Sequence, residues 1–340
     1  MQPLLPAPMS DRRVMSKISV VLCTYNRCAV LREALESLAR QTMPDEQDWE
    51  ILVIDNNSKD DTPQVVEEFA RRTSGRFRYL FEPLQGLSRA RNTGIRNAKG
   101  DVIAFTDDDV IAEPDWLHRL TEHLSTGDWA GAGGKIVPPR AFVPPRWLQV
   151  GGTLDMGGAL ALFDLGDNAQ SLERAPYGAN MAFAKTVFEK YGLFREDLGR
   201  CGAGLLSGED TEFGNRLIEA GERLRYQPAS IVHHPVAEER LKKSYFRAWW
   251  FSFGRTRVIE RAGRQPYRGI PREYFSIVNL LFRFLPMRTF KSFVSTDARS
   301  RFYWHCQTML TLGEISQNWH LLQERRKGNP SEKPLQEKVS

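Results

Sequence analysis

Residues 101–110 read Asp-Val-Ile-Ala-Phe-Thr-Asp-Asp-Asp-Val, a short apolar run that ends in three consecutive aspartates. The apolar run predicts a buried β-strand, and Glu113-Pro114-Asp115-Trp116 behind it predicts the start of a helix. The aspartates would then lie at the carboxyl end of a strand. In sheets built from strand–helix–strand units, ligands bind at that edge.

The chain before this stretch alternates in the same way between apolar runs and helical patterns. This alternation predicts right-handed βαβ units and a mostly parallel sheet. The predicted strands are Ile18–Leu22, Glu50–Ile54, Phe77–Phe81 and Asp101–Phe105, and the predicted helices are Leu31–Leu38, one that begins at Thr62-Pro63, and Ser88–Asn97.

The carboxylates after two of these strands have the chemistry of a ligand site. Asp107 and Asp109 are two residues apart, so in an extended turn both can face one side and share a divalent cation. Asp55 directly follows the strand Glu50–Ile54, where it can accept hydrogen bonds from a nucleobase or ribose. A solvated turn also explains three aspartates, but their position at the carboxyl edge favours the ligand site.

Four motifs, taken in order, resemble the donor half of a family 2 glycosyltransferase of the GT-A fold. They are CTYNR at 23–27, VIDNNSKDDT at 53–62, GLSRARNTG at 86–94 and FTDDDV at 105–110. The resemblance covers about residues 17–240. It implies an α/β protein with a GT-A (Rossmann-like), mostly parallel sheet flanked by helices, followed here by a C-terminal helical extension. It also implies an inverting transfer of a sugar from a nucleotide-diphosphate donor to an acceptor hydroxyl.

The resemblance also assigns roles to individual residues and implies Mn²⁺ or Mg²⁺ as cofactor. Asp107 and Asp109 would hold the metal and the diphosphate, and Asp108 would contact the ribose or the sugar. The remaining donor-binding candidates are Thr24, Asn26, Arg27 and Asp55 around the base and ribose, Arg89 and Asn92 beside the nucleotide, and Asn180 of a Gly-Ala-Asn segment.

A second acidic pair, Glu209-Asp210, stands directly before a predicted helix at Asp210–Ala220. Acids in a first helical turn are favoured by the helix dipole, so simple capping would explain them. Sugar transfer, however, needs a base that takes the proton of the acceptor hydroxyl. The pair resembles the family's Glu-Asp motif, which implies Asp210 as that base and leaves Glu209 to bind the acceptor or support the loop.

His233 and His234 follow a predicted strand at Ala229–Val232, and such a pair is commonly structural. The resemblance implies that a histidine before a Val-Pro…Arg stretch completes the metal shell. Alignment on Pro235-Val236 favours His234, while His233 stays open. An imidazole beside carboxylates would suit Mn²⁺ better than Mg²⁺.

Residues 240–291 hold thirteen Lys and Arg residues, only two acidic residues, and twelve aromatic ones. Such a segment can dock on an anionic membrane surface, bind single-stranded nucleic acid or hold a lipid-diphosphate acceptor. It can equally be a helical cap that packs its aromatic rings. No nucleic-acid-binding motif is recognisable, so we expect no nucleic acid partner. The resemblance favours the membrane surface, because it implies a class of transferases many of which use lipid-linked acceptors.

The organisation that follows has four parts. They are a tail at 1–16, a GT-A domain at 17–240 with a nucleotide-binding half (17–127) and an acceptor half (128–240), a basic aromatic extension at 241–326, and a tail at 327–340. With no apolar window of about 20 residues and four scattered cysteines, we expect a cytoplasmic protein, peripheral on the inner face of the membrane. A catalytically inactive nucleotide-sugar-binding or scaffold protein remains the alternative.

Overall fold

The structure is a computed structural model that describes residues 17–124, 127–139, 142–202, 204–262 and 272–326. The predicted tails at 1–16 and 327–340 lie outside these residues. The chain divides into two compact units. The first contains the described residues of 17–142, 160–202 and 209–236, and the second those of 143–159, 204–208 and 237–326.

The first unit is built on one mixed sheet, to which nine strands of the described chain contribute. The strands are β1 (Lys17–Thr24), β2 (Asp48–Asp55), β3 (Phe77–Phe81), β4 (Val102–Asp107), β5 (Ile111–Ala112), β6 (Gly131–Val137), β7 (Gln170–Ser171), β8 (Met181–Ala184) and β9 (Leu224–His233). Their order is β3-β2-β1-β4-β8-β6-β9-β5, and β7 pairs with β9.

The sheet is parallel through β3-β2-β1-β4, as the strand–helix alternation predicts. Beyond β4 it becomes mixed: β8 runs antiparallel to both β4 and β6, and β9 is parallel to β6. Parallel neighbours need a crossover connection of a dozen or more residues, usually a helix. The proline- and glycine-rich loops after Trp129 replace this repeated crossover, so the second half of the sheet follows a different pattern.

Six helices of the described chain belong to the first unit. They are α1 (Cys28–Ala39), α2 (Thr62–Arg72), α3 (Leu87–Asn97), α4 (Trp116–Thr121), α5 (Lys185–Tyr191) and α6 (Glu209–Glu219). The buried residues of α1 recur at helical spacing, at Leu31, Leu35 and Leu38. Gly94 of α3 lies so close to β1 that a Cβ atom there would overlap the side chain of Val21. Because of this close approach, the turn of α3 that precedes Gly94 packs against the sheet, next to the strands that carry the acidic residues.

The second unit is helical over most of its described length. Its helices are α7 (Lys243–Ala262), α8 (Arg272–Asn279), a π-helical turn (Leu280–Phe284), α9 (Leu285–Val294) and α10 (Ala298–Arg326). Gly254 and Gly313 let α7 and α10 touch, because a Cβ atom at either would overlap a carbonyl oxygen of the other helix. The predicted C-terminal helical extension is therefore confirmed. None of the described helices is long and apolar enough to cross a bilayer.

Candidate active site

The strand register brings the predicted donor residues to one edge of the sheet. Thr24 at the end of β1 lies opposite Asp55 of β2. Its neighbour Cys23 lies opposite Asp107 of β4. All three strands are parallel, so their carboxyl ends meet at the edge where α/β sheets bind ligands.

Asp108 points into the protein and is held from two sides. The hydroxyl of Thr24 donates to its Oδ2 at 2.7 Å, and the guanidinium of Arg27 donates to its Oδ1 at 2.7 Å. Burial and, to a lesser extent, the charge of Asp109 raise the pKa of Asp108 to about 7, although Arg27 acts in the opposite direction. The middle aspartate thus organises the loop around Thr24 and Arg27.

Arg27 bridges two of the three aspartates. Its second amino group donates to Oδ2 of Asp109 at 2.9 Å. The Arg27 side chain is 41% exposed, so it holds the acidic loop from the solvent side. Arg27 therefore supplies positive charge at the position where the sequence predicts a cation.

A second arginine, Arg91 of α3, links the aspartate triplet to the Glu209-Asp210 pair. Its guanidinium donates to Oε1 of Glu209 at 2.5 Å and lies 3.3 Å from Oδ1 of Asp107. The Arg91 side chain is only 3% exposed. Burial acts to lower the pKa of Arg91, but the charges of Glu209, Asp107 and Asp210 raise it well above the usual value. Arg91 is therefore a permanent cation between the two acidic clusters.

Gly178 packs directly on this arginine. A Cβ atom at position 178 would overlap the Arg91 guanidinium, so only glycine fits. The backbone N–H of Gly178 donates to Oδ2 of Asp210 at 2.7 Å. The predicted Gly-Ala-Asn segment thus meets the Glu-Asp pair through its glycine.

Glu209 and Asp210 open α6 but lie in different surroundings. Glu209 is buried, and burial, with Asp210 beside it, raises its pKa to about 7 although Arg91 acts in the opposite direction. Asp210 is partly exposed. Its Oδ1 accepts the backbone N–H of Thr211 at 2.6 Å. Of the two acids, Asp210 is the more exposed.

Asp55 and Asn26 organise the loops at the far side of the edge. Asp55 is buried, and it accepts the Ser58 N–H at 2.8 Å and the Tyr79 hydroxyl at 2.7 Å. Asn26 takes the left-handed backbone conformation, with φ at 52°. Its side-chain oxygen accepts the Lys59 N–H at 2.6 Å. These contacts join the CTYNR and VIDNNSKDDT motifs into one loop cluster.

Three other residues that the sequence predicts to contact the donor bind other parts of the protein in this structure. Asn92 is buried and exchanges two hydrogen bonds with the backbone of Phe194, at 2.9 and 3.0 Å. Asn180 is fully buried and is bonded to the Trp116 indole and to the carbonyl of Lys135. Arg89 pairs with Glu196 at 3.0 Å. Donor contact by these three side chains stays a prediction, and the two asparagines already satisfy neighbouring groups.

The two histidines separate clearly. His234 is buried, and its Nε2 lies 3.6 Å from Oδ1 of Asp109. His233 instead places its Nε2 2.7 Å from Oε1 of Glu113. The imidazole nearest to the aspartate triplet is thus the one favoured by alignment on Pro235-Val236.

The residues fit a cation that shares its ligands with a substrate. Asp107 is 33% exposed, and Asp109 adds a second carboxylate beside the His234 imidazole. Within the described residues, however, no three His, Cys, Asp or Glu side chains converge into a ready-made metal cage. Such partial protein coordination is the usual arrangement for Mg²⁺, which binds through one or two carboxylates together with substrate phosphates.

Arg91 is the functional candidate that sequence reasoning missed. It lies in the GLSRARNTG motif, where the resemblance implies its neighbours Arg89 and Asn92 as donor contacts. A signal was present: Arg91 occupies the buried stripe of α3 with Gly94 and Ile95 at helical spacing. An arginine in such a stripe needs a buried carboxylate partner.

The acidic edge, the parallel strand ends and the mixed second half of the sheet define a GT-A type glycosyltransferase. The model for the family described as "Glycosyl transferase family 2" matches residues 19–192, slightly more than half of the chain. The protein belongs to this family, as the four sequence motifs predict.

Relatives support the assignment over most of the chain. The succinoglycan biosynthesis protein ExoM of Rhizobium meliloti is 31% identical over 243 residues, which cover 70% of this chain and 73% of that protein. The glucosyl-dolichyl phosphate glucuronosyltransferase of Haloferax volcanii is 27% identical over 255 residues, covering 72% and 77%.

A solved structure shows the same fold. It is the mannosyltransferase PcManGT from Pyrobaculum calidifontis in complex with GDP-Man and Mn²⁺, with a TM-score of 0.61 and 19% identity. The match covers 94% of this chain and 91% of that one. At this identity the likeness concerns the fold, and the predicted GT-A architecture is confirmed.

Proposed function

We propose that the protein is an inverting, metal-dependent transferase that moves a sugar from a nucleotide-diphosphate donor to an acceptor hydroxyl by single displacement. The observation that carries the proposal is the contact of one buried arginine with both acidic clusters. Arg91 lies 3.3 Å from Asp107 and 2.5 Å from Glu209. A group for the donor diphosphate and a group for the acceptor are thereby held at one site.

Asp210 is the proposed base. General-base catalysis requires a carboxylate within hydrogen-bond reach of the attacking hydroxyl. Asp210 is partly exposed at the first turn of α6. Glu209 is buried and uses one oxygen for Arg91. Its proposed role is therefore to hold Arg91 and the α6 start in place, and Asp210 takes the proton.

Asp107, Asp109 and His234 are the residues proposed to hold Mn²⁺ or Mg²⁺ with the donor. The metal would neutralise the charge that develops on the departing nucleoside diphosphate. Arg27, half-exposed beside Asp109, is proposed to turn toward the diphosphate. Thr24 and Asp108 hold that arginine in its loop.

The nucleoside end of the donor is proposed to lie over the loop cluster of Asn26 and Asp55. Both carboxylate oxygens of Asp55 are used within the protein, by Ser58 and Tyr79. Ribose binding at Asp55 would therefore replace or share the Tyr79 contact. Asn92 and Asn180 are proposed to support the site through the backbone they bind.

A screen of UDP-, GDP- and dTDP-sugars tests the proposal. At least one donor should raise the thermal unfolding temperature and be hydrolysed slowly in the presence of Mn²⁺, because a ligand that binds only the folded state stabilises it. EDTA should remove the hydrolysis. Protection without hydrolysis or transfer would instead support the inactive nucleotide-sugar-binding alternative, and no response to any donor would contradict both.

We further propose that the protein works at an anionic membrane surface, on the inner face, where a glycan or lipid-linked acceptor is available. The support is the excess of basic residues within 240–291. Part of that charge is used internally: Arg257 lies 3.4 Å from Glu314, and Arg255 donates to Gln317 at 3.0 Å. Residues 263–271 of the segment lie outside the described residues.

A further inference from the structure

The helical run from α8 through the π-helical turn to α9 exposes an almost continuous apolar face. Phe282 is 80% exposed, and Phe290 and Phe293 are exposed to a similar degree. We call this surface the α8–α9 face. Its exposed apolar members are Tyr274, Phe275, Val278, Leu281, Phe282, Met287, Phe290, Phe293 and Val294.

The opposite side of the same run faces the protein and carries both polar and apolar residues. Ser276, Leu280, Phe284 and Arg288, spaced four residues apart, line a cavity of about 230 Å³. Ile277 and Glu273 are also buried on this side. α8 and α9 therefore expose many more apolar residues than the usual amphipathic helix, whose apolar stripe faces the core.

Positive charge is concentrated behind the face. Four arginines line the cavity, namely Arg257, Arg261, Arg288 and Arg325, together with the two acids Glu273 and Glu314. Arg257 and Arg261 both lie within 4 Å of Glu314, and Arg325 lies 3.1 Å from Glu273. Two positive charges remain in excess.

We propose that the α8–α9 face lies in the interface of a lipid bilayer that contains anionic lipids, with its aromatic side chains inserted below the headgroups. This inference rests on the proposed membrane association. It adds that the protein is attached by insertion of apolar side chains and not only by attraction between its basic residues and anionic lipids. Helices that lie in a bilayer interface combine an apolar aromatic face with flanking basic residues. The run is about 35 Å long at 1.5 Å per residue, and it is not a membrane span.

Charge favours a lipid surface over another protein as the occupant. Between residues 272 and 294 the basic residues are Arg272, Arg283, Arg288 and Lys291, whereas the only acid is Glu273. Glu273 is buried and faces Arg325. Arg288 faces the cavity, but Arg283 is exposed and Lys291 is partly exposed, and the exposed residues of 273–294 include no acid. The described rim of the face therefore matches anionic headgroups. A second copy would bring the same positive rim against this one.

The test measures binding of the full-length protein to phosphatidylcholine vesicles with and without phosphatidylglycerol, by sedimentation in 0.1 M and 1 M NaCl. A triple variant, Phe282→Ser with Phe290→Ser and Phe293→Ser, should weaken the partition by about 100-fold or more, because each large aromatic side chain contributes roughly tenfold on burial. Wild-type binding to the anionic vesicles should persist in 1 M salt, where surface charge is screened within about 3 Å.

Two further variants control this experiment. Trp319→Ser removes an exposed aromatic side chain of α10 outside the α8–α9 face, and it should leave the partition unchanged. Arg283→Gln with Lys291→Gln should reduce the preference for anionic vesicles several-fold, because each basic residue near the surface adds to the attraction. Unchanged unfolding temperatures would show that all variants are folded.

The proposal is overturned if the wild type binds neither vesicle, or if the triple variant binds as tightly as the wild type. Self-association without lipid that the triple variant loses, together with no vesicle binding, would assign the face to a second copy. Vesicle binding is measured independently of sugar transfer. Failure here thus leaves the proposed activity standing, and an inactive protein that binds vesicles leaves this inference standing.

Discussion

Arg27 and Arg91 each hold two carboxylates of the acidic edge, but in opposite surroundings. Arg27 contacts Asp108 and Asp109 and is 41% exposed, whereas Arg91 contacts Asp107 and Glu209 and is 3% exposed. An exposed ion pair is weak and can rearrange. A buried one is expensive to break, because removal of one partner leaves the other charge uncompensated.

The difference indicates a division of labour within the site. The Arg27 side is half-exposed and, in the proposed function, exchanges its contacts when the donor and the cation bind. The Arg91 side is fixed and sets the distance between the donor carboxylates and the proposed base. The predictions below break one side at a time.

Loss of the donor carboxylates should have the largest effect. Asp109→Ala, or chelation of the wild type, should abolish transfer, because the proposed cation would lose a hard oxygen ligand. Transfer is measured with the donor that gives protection in the screen, and added Mn²⁺ or Mg²⁺ should restore the chelated wild type.

Asp115→Ala is the matched control, since Asp115 lies directly before α4 and pairs with Arg119 at 3.0 Å. Full activity of the wild type in excess chelator would remove the metal from the proposal.

Loss of the proposed base should have the next largest effect. Asp210→Asn keeps the size of the side chain but cannot take a proton at neutral pH, so kcat should fall roughly 10²–10⁴-fold. Donor affinity should change little, because the donor is proposed to bind through the aspartate triplet. Steady-state kinetics with thermal-shift titration of the donor measures both quantities.

Glu209→Gln is the control and should cost less in kcat, because the buried carboxylate is proposed to support the site. A nearly normal Asp210→Asn beside an inactive Glu209→Gln would move the base by one residue and leave the reaction class unchanged.

The comparison of the two arginines is sharpened by stability measurements. Arg91→Met should lower the free energy of unfolding by about 3–5 kcal/mol, since it leaves Glu209 buried without its cation. Arg27→Met should lower it less, by roughly 1–2 kcal/mol, because solvent screens the half-exposed guanidinium although Asp108 and Asp109 are buried. Urea unfolding measures both. Equal losses for the two variants would contradict the division between a fixed and an exchangeable side.

The predicted losses of activity and stability depend on where each side chain lies in the fold. Local patterns located the loops with good accuracy: an apolar run followed by an acid predicted the strand ends at Asp55 and Asp107. The same patterns could not rank the residues inside a motif. In GLSRARNTG the resemblance implies Arg89, which pairs at the surface with Glu196, and does not single out the buried Arg91.

The basic segment at 240–291 is a second case in which the sequence does not show which residues are exposed. Its charge predicts a membrane-facing surface but does not indicate which of its residues face the membrane. In the structure Arg257 and Arg261 face Glu314 of α10, and the exposed apolar residues lie on α8 and α9. Which face of a helix is solvent-exposed depends on the helix that packs against its other side, and the periodicity of a single segment does not contain that partner.

The amino-acid sequence by itself determined the family, the alternation of strands and helices, and the edge of the sheet at which the acids lie. These properties are local, because a buried run and the residue after it are neighbours in the chain. The tertiary structure alone decided which acids are shielded and which arginine neutralises them. Arg91 and Glu209 are 118 residues apart in the chain, and their contact exists only because α3 and α6 meet at the sheet edge, where burial makes the pairing of their charges obligatory.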